Sequence, residues 1–308
     1  MKPSYIKALE TGQLEIKAAR AKNIMKHCVL CPRKCGVDRL KGEKGFCNTT
    51  EDAVVAAFDP HFGEESPLVG ENGSGTIFFS HCNLLCSFCQ NFDISHGGRG
   101  RTISSEQLAE LMLHLQRTGC HNINFVTPSH VVPQILFATK KAAEKGLDIP
   151  LVFNTGGYDR VETLRLLDGV VDIYMPDFKF MDPNVSEKLC NAKDYPGVVK
   201  KALIEMHRQV KDLTMDDSGI ATKGLLIRHL VLPEEQAGSK AVMRFIRNRI
   251  SSDTYINIMD QYRPLGPARE DQTLNRPITK REYQTAVKYA MDLGLHRLDQ
   301  RKRVFLFR

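Results

Sequence analysis

Apolar residues along this 308-residue chain fall into short compact runs separated by amphipathic stretches of helical period. Six runs read as strands: Thr76–Ser80, Asn122–Thr127, Leu151–Asn154, Val171–Met175, Gly224–Leu232 and Tyr255–Met259. The intervals predict helices over Ser105–Arg117 after a serine cap, Val132–Lys145 ending at Gly146, Val161–Leu167, Val185–Leu189 with Val198–Gln209, and Ser239–Ile250. Strand alternating with helix predicts an α/β fold with a parallel sheet.

Period alone does not separate an open doubly wound sheet from an incomplete barrel, but the placement of polar residues does. They follow nearly every strand: Cys82, Thr127 to His130, Asn154 to Gly157, Asp177 and Lys179, Arg228 and His229, and Asp260 to Arg263. Many strand ends meeting at one mouth is the property of a barrel, whereas an open sheet gathers function at its switch point. Residues 71–308 are therefore expected to form a partial TIM-like (β/α)6 barrel with a C-terminal helix.

Residues 1–70 have another character. The first 27 read as a helical arm of long-side-chain helix formers with one internal glycine. From Cys28 to Pro67, Pro32, Gly36, Gly42 and Gly45 interrupt any period, which predicts a small cysteine-rich annex with one short strand at Val54–Phe58. So small a piece has little core, and bound metal would account for its order.

Composition narrows the class of protein. Hydrophobic residues make up 42% of the chain, enough for a substantial core. The net charge of +7 comes from 43 Lys and Arg against 36 Asp and Glu with signs interspersed, so a nucleic-acid surface is not expected from the single basic run Arg301, Lys302, Arg303. No apolar stretch is long enough for a membrane span, and the N-terminus lacks the apolar segment of a signal peptide, so a soluble cytoplasmic protein with no membrane partner is expected.

Seven of the nine cysteines lie in two tight groups with metal-ligand spacing, and the odd total leaves no complete disulfide pairing. Cys120 and Cys190 stand alone and read as small buried hydrophobes. Cys82, Cys86 and Cys89 occupy the loop after the first barrel strand, in TIFFSHCNLLCSFCQN. A structural zinc site takes four protein ligands, and only His81 or His96 is at hand to join these three. A cubane held by three cysteines keeps one iron open to chelate a small molecule.

This CxxxCxxC loop resembles that of the radical S-adenosylmethionine superfamily. The resemblance implies a [4Fe–4S] cluster on Cys82, Cys86 and Cys89, S-adenosyl-L-methionine chelated at the open iron, and a 5′-deoxyadenosyl radical formed by reductive cleavage of the sulfonium bond. Phe88 matches an aromatic position near the cofactor adenine. Over essentially the whole chain the closer resemblance is to the pyruvate formate-lyase activating enzyme and its homologues with an N-terminal cysteine-rich extension, where Asp-Thr-Asn-Gly and Met-Leu-Asp-Leu-Lys correspond to Asn154-Thr-Gly-Gly157 and Met175-Pro-Asp-Phe-Lys179.

That alignment implies that Lys179 pairs with the methionine carboxylate, and that Thr155, Met175 and Asp177 contribute to a monovalent-cation site, with Asn154 replacing an aspartate of the relative. A strand-end ion pair is the competing reading of Asp177 and Lys179. The chain also departs from the superfamily's Gly-Gly-Glu after the second strand: Thr127 and Ser129 stand there, either taking over the amino-group contact or shaping its turn, and His130 beside them reads equally as a helix cap. Arg228 and His229 take opposite faces of their strand, and Arg228 is the residue expected in the pocket. Asn257 and Gln261 are expected around adenosine, and Tyr262 and Arg263 at the substrate opening. The segment Ala57–Glu65, with one histidine and the carboxylate pair Glu64 and Glu65, either closes the barrel bottom or reaches over the cofactor.

In the annex, Cys28, Cys31, Cys35 and Cys47 place four thiols within twenty residues. Structural zinc, a second iron–sulfur cluster and a metal-free thiol-rich fold all remain open there, since the spacing is tighter than paired CxxC knuckles. The resemblance implies hydrogen abstraction by the 5′-deoxyadenosyl radical, with glycyl-radical-enzyme activation as a special case and a small-molecule substrate as the alternative. It also implies a low-potential electron donor of the flavodoxin or ferredoxin kind. The rival classes are a non-redox metal-dependent barrel enzyme and a zinc-binding structural or regulatory protein.

Overall fold

The computed structural model describes residues 2–299; the basic run Arg301, Lys302, Arg303 lies outside them. The arm forms α1 (Ser4–Glu10) and α2 (Gln13–Ile24), which meet at Gly12, where a φ of 70° suits a residue without a side chain. Tyr5, Ala8, Leu14, Ala18 and Ala21 are buried in the main core, and the Tyr5 hydroxyl donates to Ile149 O at 3.0 Å. The annex that follows is irregular apart from one turn of 3₁₀ helix at Arg39–Lys41.

Then come β1 (Ala53–His61), α3 (Ser66–Val69), β2 (Ser74–Phe79), α4 (Phe92–Ser95) and β3 (Arg101–Ile103). The strand expected at Val54–Phe58 extends to His61 because antiparallel pairing with β2 continues as far as Ser74. Alternating units follow: α5 (Ser105–Arg117), β4 (Ile123–Val126), α6 (Val132–Glu144), β5 (Leu151–Thr155), α7 (Val161–Leu167) and β6 (Ile173–Pro176). The chain continues through α8 (Pro183–Cys190), α9 (Tyr195–Val210), β7 (Thr214–Met215), β8 (Ala221–Leu230), α10 (Ser239–Arg249), β9 (Tyr255–Met259) and α11 (Lys280–Asp292).

All six expected strands are present. Helices α8 and α9 start earlier than their apolar periods, because Pro183 and Pro196 sit in the first turn, where proline lacks no needed donor; Asp182 caps α8 by accepting from Asn184 N at 2.7 Å. β8 starts at Ala221 because β7 pairs with it there.

The sheet order is β3-β1-β2-β4-β5-β6-β8-β7, with β9 also on β8. β2, β4, β5, β6, β8 and β9 are joined in parallel, and β1, β3 and β7 add antiparallel pairs. The result is a mixed α/β sheet resembling a partial (β/α) barrel.

The two-residue period of the strands divides their side chains cleanly. Phe125, Leu151, Phe153, Tyr174, Leu225 and Ile227 join the large core shared with the helices. Val152, Ile173, Met175, Leu226 and Tyr255 form a separate apolar plug with Leu68 of α3. Two residues further along each strand, the plug's register brings up Asn154, Asp177, Arg228 and Asn257. The plug thus floors a polar mouth.

Candidate active site

Cys82, Cys86 and Cys89 lie on the loop between β2 and α4, whose backbone is left-handed at His81 (φ 68°) and Leu85 (φ 52°); Thr127, after β4, has φ 61°. Such conformations cost about 1 kcal/mol or more for residues with side chains, and they persist where surrounding contacts over-determine them, often at functional sites. Here they aim three thiols into one cavity of about 410 Å³.

Phe88 joins the thiols on that side, and the neighbouring strand ends supply Thr127, Asn154, Thr155, Asp177, Lys179 and Arg228, with Gln261 from beyond β9. A larger groove of about 900 Å³ between β9 and α11 contains none of the thiols. Chemistry rather than volume marks the site.

Its floor is an ion-pair network. Asp177 accepts from Lys179 Nζ at 2.6 Å through one oxygen and from Arg228 Nε at 2.8 Å through the other, while Arg228 Nη2 donates to Asn154 Oδ1 at 2.7 Å. Burial works against the charge on Asp177, but Arg228 and Lys179 outweigh it and hold the carboxyl below its ordinary value. Burial likewise opposes the charges of Lys179 and Arg228, but Asp177 together with Cys86 beside Lys179, and with Glu65 and Glu64 beside Arg228, outweighs it and holds both above their ordinary values.

Glu64 and Glu65 complete this floor, each with a carboxylate oxygen 3.9 Å from Arg228 Nη1. The Ala57–Glu65 segment therefore brings Glu64 and Glu65 into the cavity wall, opposite the charge they balance. Asn257 donates to Glu65 Oε1 at 2.8 Å, so its amide braces the floor and does not line the cavity. Ser129 also stands behind the wall, its hydroxyl 3.0 Å from Thr155 Oγ1, which donates to Asp159 Oδ2 at 2.6 Å. Asp159 carries no signal in the sequence beyond its place in the turn after β5.

The donors expected around a monovalent cation are otherwise engaged. Arg228 holds Asn154 and Asp177, Thr155 holds Asp159, and Met175 lies in the apolar plug.

His229 takes the outer face, as the alternation predicts. Its Nδ1–H donates to Phe178 O at 2.7 Å, a carbonyl being acceptor only, and its Nε2 accepts from Ser239 at 2.9 Å. His130 is buried and donates from Nε2 to Ser80 O at 2.9 Å, serving neither as helix cap nor as cavity wall. Burial pushes His130 down to about 3 and His229 to about 4. Tyr262 is fully buried, and its hydroxyl donates to Leu274 O at 2.7 Å, which turns it away from the opening.

Burial, with Cys86 adding to it, pushes the Cys82 thiol up to about 12. The Cys86 thiol is raised by a hydrogen bond with Cys190 and by burial. The nearness of Cys190 depends on the return of α8 to the thiol loop: Ser87 N donates to Leu189 O at 2.8 Å. Tyr195 likewise reaches the site only through tertiary structure, its hydroxyl lying 3.0 and 2.9 Å from Gly156 O and Asp177 O and accepting from Lys179 N.

In the annex Cys28, Cys31 and Cys47 are buried and Cys35 is exposed, its sulfur accepting from Phe46 N at 3.3 Å. A Cβ on Gly45 would lie 2.7 Å from the Cys35 sulfur, so only glycine lets the two turns close. Among the described residues no three His, Cys, Asp or Glu side chains are already drawn together as a metal site. What fits a metal group is the donor chemistry: three thiols on one cavity wall, and four in a core-poor annex.

A thiol loop and a charged strand-end mouth thus share one cavity on a mixed α/β sheet that resembles a partial barrel. Residues 76–235 match the Radical SAM superfamily, and the chain belongs to it as a radical SAM-type enzyme, for which an iron–sulfur cluster and S-adenosylmethionine are the typical cofactors. An uncharacterized protein of Methanocaldococcus jannaschii is 35% identical over 292 residues, covering 91% of this chain and 80% of that protein. The crystal structure of HydG, a maturase of the [FeFe]-hydrogenase, aligns with a TM-score of 0.50 and 11% identity over 71% of this chain; the chain spans about half (49%) of its length. That likeness concerns the fold alone. A domain of pyruvate-formate lyase-activating enzyme from Bacteroides vulgatus aligns at 15% identity over 62% of this chain and 88% of that one, with a TM-score of 0.35, too low to bear on the fold.

Proposed function

We propose that the chain holds a [4Fe–4S] cluster on Cys82, Cys86 and Cys89 and cleaves S-adenosylmethionine reductively for hydrogen abstraction, with glycyl-radical-enzyme activation as the special case. The observation that carries this reading is that the three thiols open on the same cavity as Lys179, Asn154, Asp177 and Arg228. When bound, the cluster supplies the electron that breaks the sulfonium bond and releases the 5′-deoxyadenosyl radical.

The chain's own residues bind and orient. Lys179 sits at the cavity wall with Asp177 as its partner, and a carboxylate entering beside it gains a charge-assisted bond from the ammonium already held there. Arg228 keeps Asp177 ionised, and Glu65 with Asn257 braces Arg228 from below. Phe88, packed on Phe180 and Tyr262, gives an apolar face suited to a purine. Thr127 and Gln261 line the rim as polar contacts, while Ser129 sets Thr155 from behind.

A low-potential flavodoxin- or ferredoxin-like donor supplies the electron, and the annex thiols take a structural metal, zinc or a second iron–sulfur cluster. The substrate is either a small molecule or a glycyl-radical-enzyme loop. No helix among the described residues is long and apolar enough to cross a membrane. Under strict anoxia with a strong reductant, the reconstituted protein is expected to convert S-adenosylmethionine to methionine and 5′-deoxyadenosine. A loaded, reducible protein giving none would reject the reading.

A further inference from the structure

Outside the cavity, one side chain joins the two cysteine groups. Arg33 lies in the annex between Cys31 and Cys35. Its Nε donates to Asn83 O at 3.0 Å, in the loop between Cys82 and Cys86. Its Nη2 donates to Cys190 O at 2.9 Å and its Nη1 to Asn191 O, the carbonyls at the C-terminal end of α8. The guanidinium rests 3.8 Å over the Phe46 ring and 5.2 Å from that of Tyr158.

Helix α8 ends on Asn191 in the left-handed conformation, leaving carbonyls that a helix cannot satisfy internally and the negative end of its dipole beside Cys86 and Cys190. Arg33 caps that end from another part of the chain. A guanidinium is planar and presents several N–H groups in a fixed fork, so binding the helix end fixes where the Nε–H points, and that is at Asn83 O. The same fork therefore sets the loop that carries Cys82 and Cys86. Asn83 is held from its other side as well, its amide donating to Tyr158 O at 2.8 Å.

We propose that Arg33 is a positioning residue for the thiol loop, through which the annex fixes the geometry and the local positive charge of the cluster site. This rests on the proposed cluster for its electronic part only; the geometric part concerns the protein by itself. Arg160 supplies the comparison, because it ties the annex to the barrel through Val29 O without touching the thiol loop.

Hydrogen exchange of the full-length protein tests the geometric part. The Ser87 amide, bonded to Leu189 O, is expected to exchange at least about tenfold faster in Arg33→Met, with Arg160→Met unchanged at that amide and Arg33→Lys close to Arg33→Met, since an ammonium cannot span the carbonyls. Equal Ser87 exchange in wild type and Arg33→Met overturns the proposal. Should Arg33→Met fail to fold, Phe46→Leu removes the ring under the guanidinium and is expected to speed the same amide by a smaller factor; no change there overturns it equally.

In reconstituted protein the cluster midpoint potential is expected to move negative in Arg33→Met and to return toward wild type in Arg33→Lys, because a nearby cation favours the reduced, more negative state. An unmoved potential removes the electrostatic half. A wild type that takes up no cluster rejects the functional reading instead, while Ser87 exchange still decides the role of Arg33.

Discussion

The two cysteine groups are built on opposite principles. Cys82, Cys86 and Cys89 stand at a strand-end mouth where charges of both signs converge, and the Arg228 there is neutralised by Asp177 with Glu64 and Glu65 nearby. Among the described residues no comparable ion-pair network faces the annex thiols, and the charge acting on Cys47 is that of the buried Arg39. The annex is fastened by arginines to bare carbonyls: Arg33 to Asn83, Cys190 and Asn191, and Arg39 to Thr50 O and His130 O. Ion pairs that face a cavity can exchange partners when a ligand arrives, whereas guanidinium–carbonyl bonds have no rival partner and serve to hold. The difference points to reaction chemistry in one group and fixation in the other.

The largest expected contrast is catalytic. Replacing Cys82, Cys86 or Cys89 singly by Ala is expected to abolish 5′-deoxyadenosine formation, because a cubane losing one of three thiolates is poorly retained. Single replacements in the annex should leave a measurable rate. Metal and sulfide counts on Cys82→Ala beside wild type sharpen the comparison: metal remaining in the variant belongs to the annex, and a folded, metal-free Cys82→Ala protein would remove the annex metal from the picture.

Next in size is the Arg228 network. Arg228→Met leaves Asp177 buried with Lys179 as its one remaining cation and strands Asn154, so a loss of about 3–5 kcal/mol in denaturant unfolding is expected. Arg39→Met breaks bonds to neutral carbonyls, for which about 1–3 kcal/mol is the scale. Equal losses at the two positions would break the distinction between charge-balanced and carbonyl-held arginines.

Lys179→Met probes binding at the same mouth. Losing a charge-assisted bond worth about 1.5–3 kcal/mol should weaken S-adenosylmethionine affinity roughly ten- to a hundredfold while cluster iron stays unchanged. Unaltered affinity in a titration would leave Lys179 as a strand-end ion pair with Asp177 and nothing more.

The smallest effect is a pH slope. His130 and His229 have pKa values of about 3 and about 4 when folded, against about 6.5 unfolded, so below 6.5 the unfolded chain binds more protons. The stability present above pH 6.5 is therefore lost as pH falls, by at most about 1.4 kcal/mol per unit for each histidine, until His229 and then His130 protonate in the folded state. His130→Gln should roughly halve the slope between pH 4.5 and 6; an unchanged slope would show that His130 does not stay neutral in the fold.

Much of this was legible in the sequence because strand alternation and ligand spacing are local properties. The six strands, the thiol loop and the opposite facings of Arg228 and His229 follow from period two and from CxxxCxxC, with no knowledge of neighbours. Only the tertiary structure decided what those side chains meet. Asn257 braces Glu65 and leaves the cavity wall, Arg228 takes the donors expected for a cation, and Cys190 comes to rest against Cys86. Arg33, unremarkable between two cysteines, reaches carbonyls 50 and 157 positions away. The chain's own pattern determined which face each residue takes, because that depends on its next few neighbours. Which partner fills that face depends on segments brought together by burial of the whole core, and no local spacing records it.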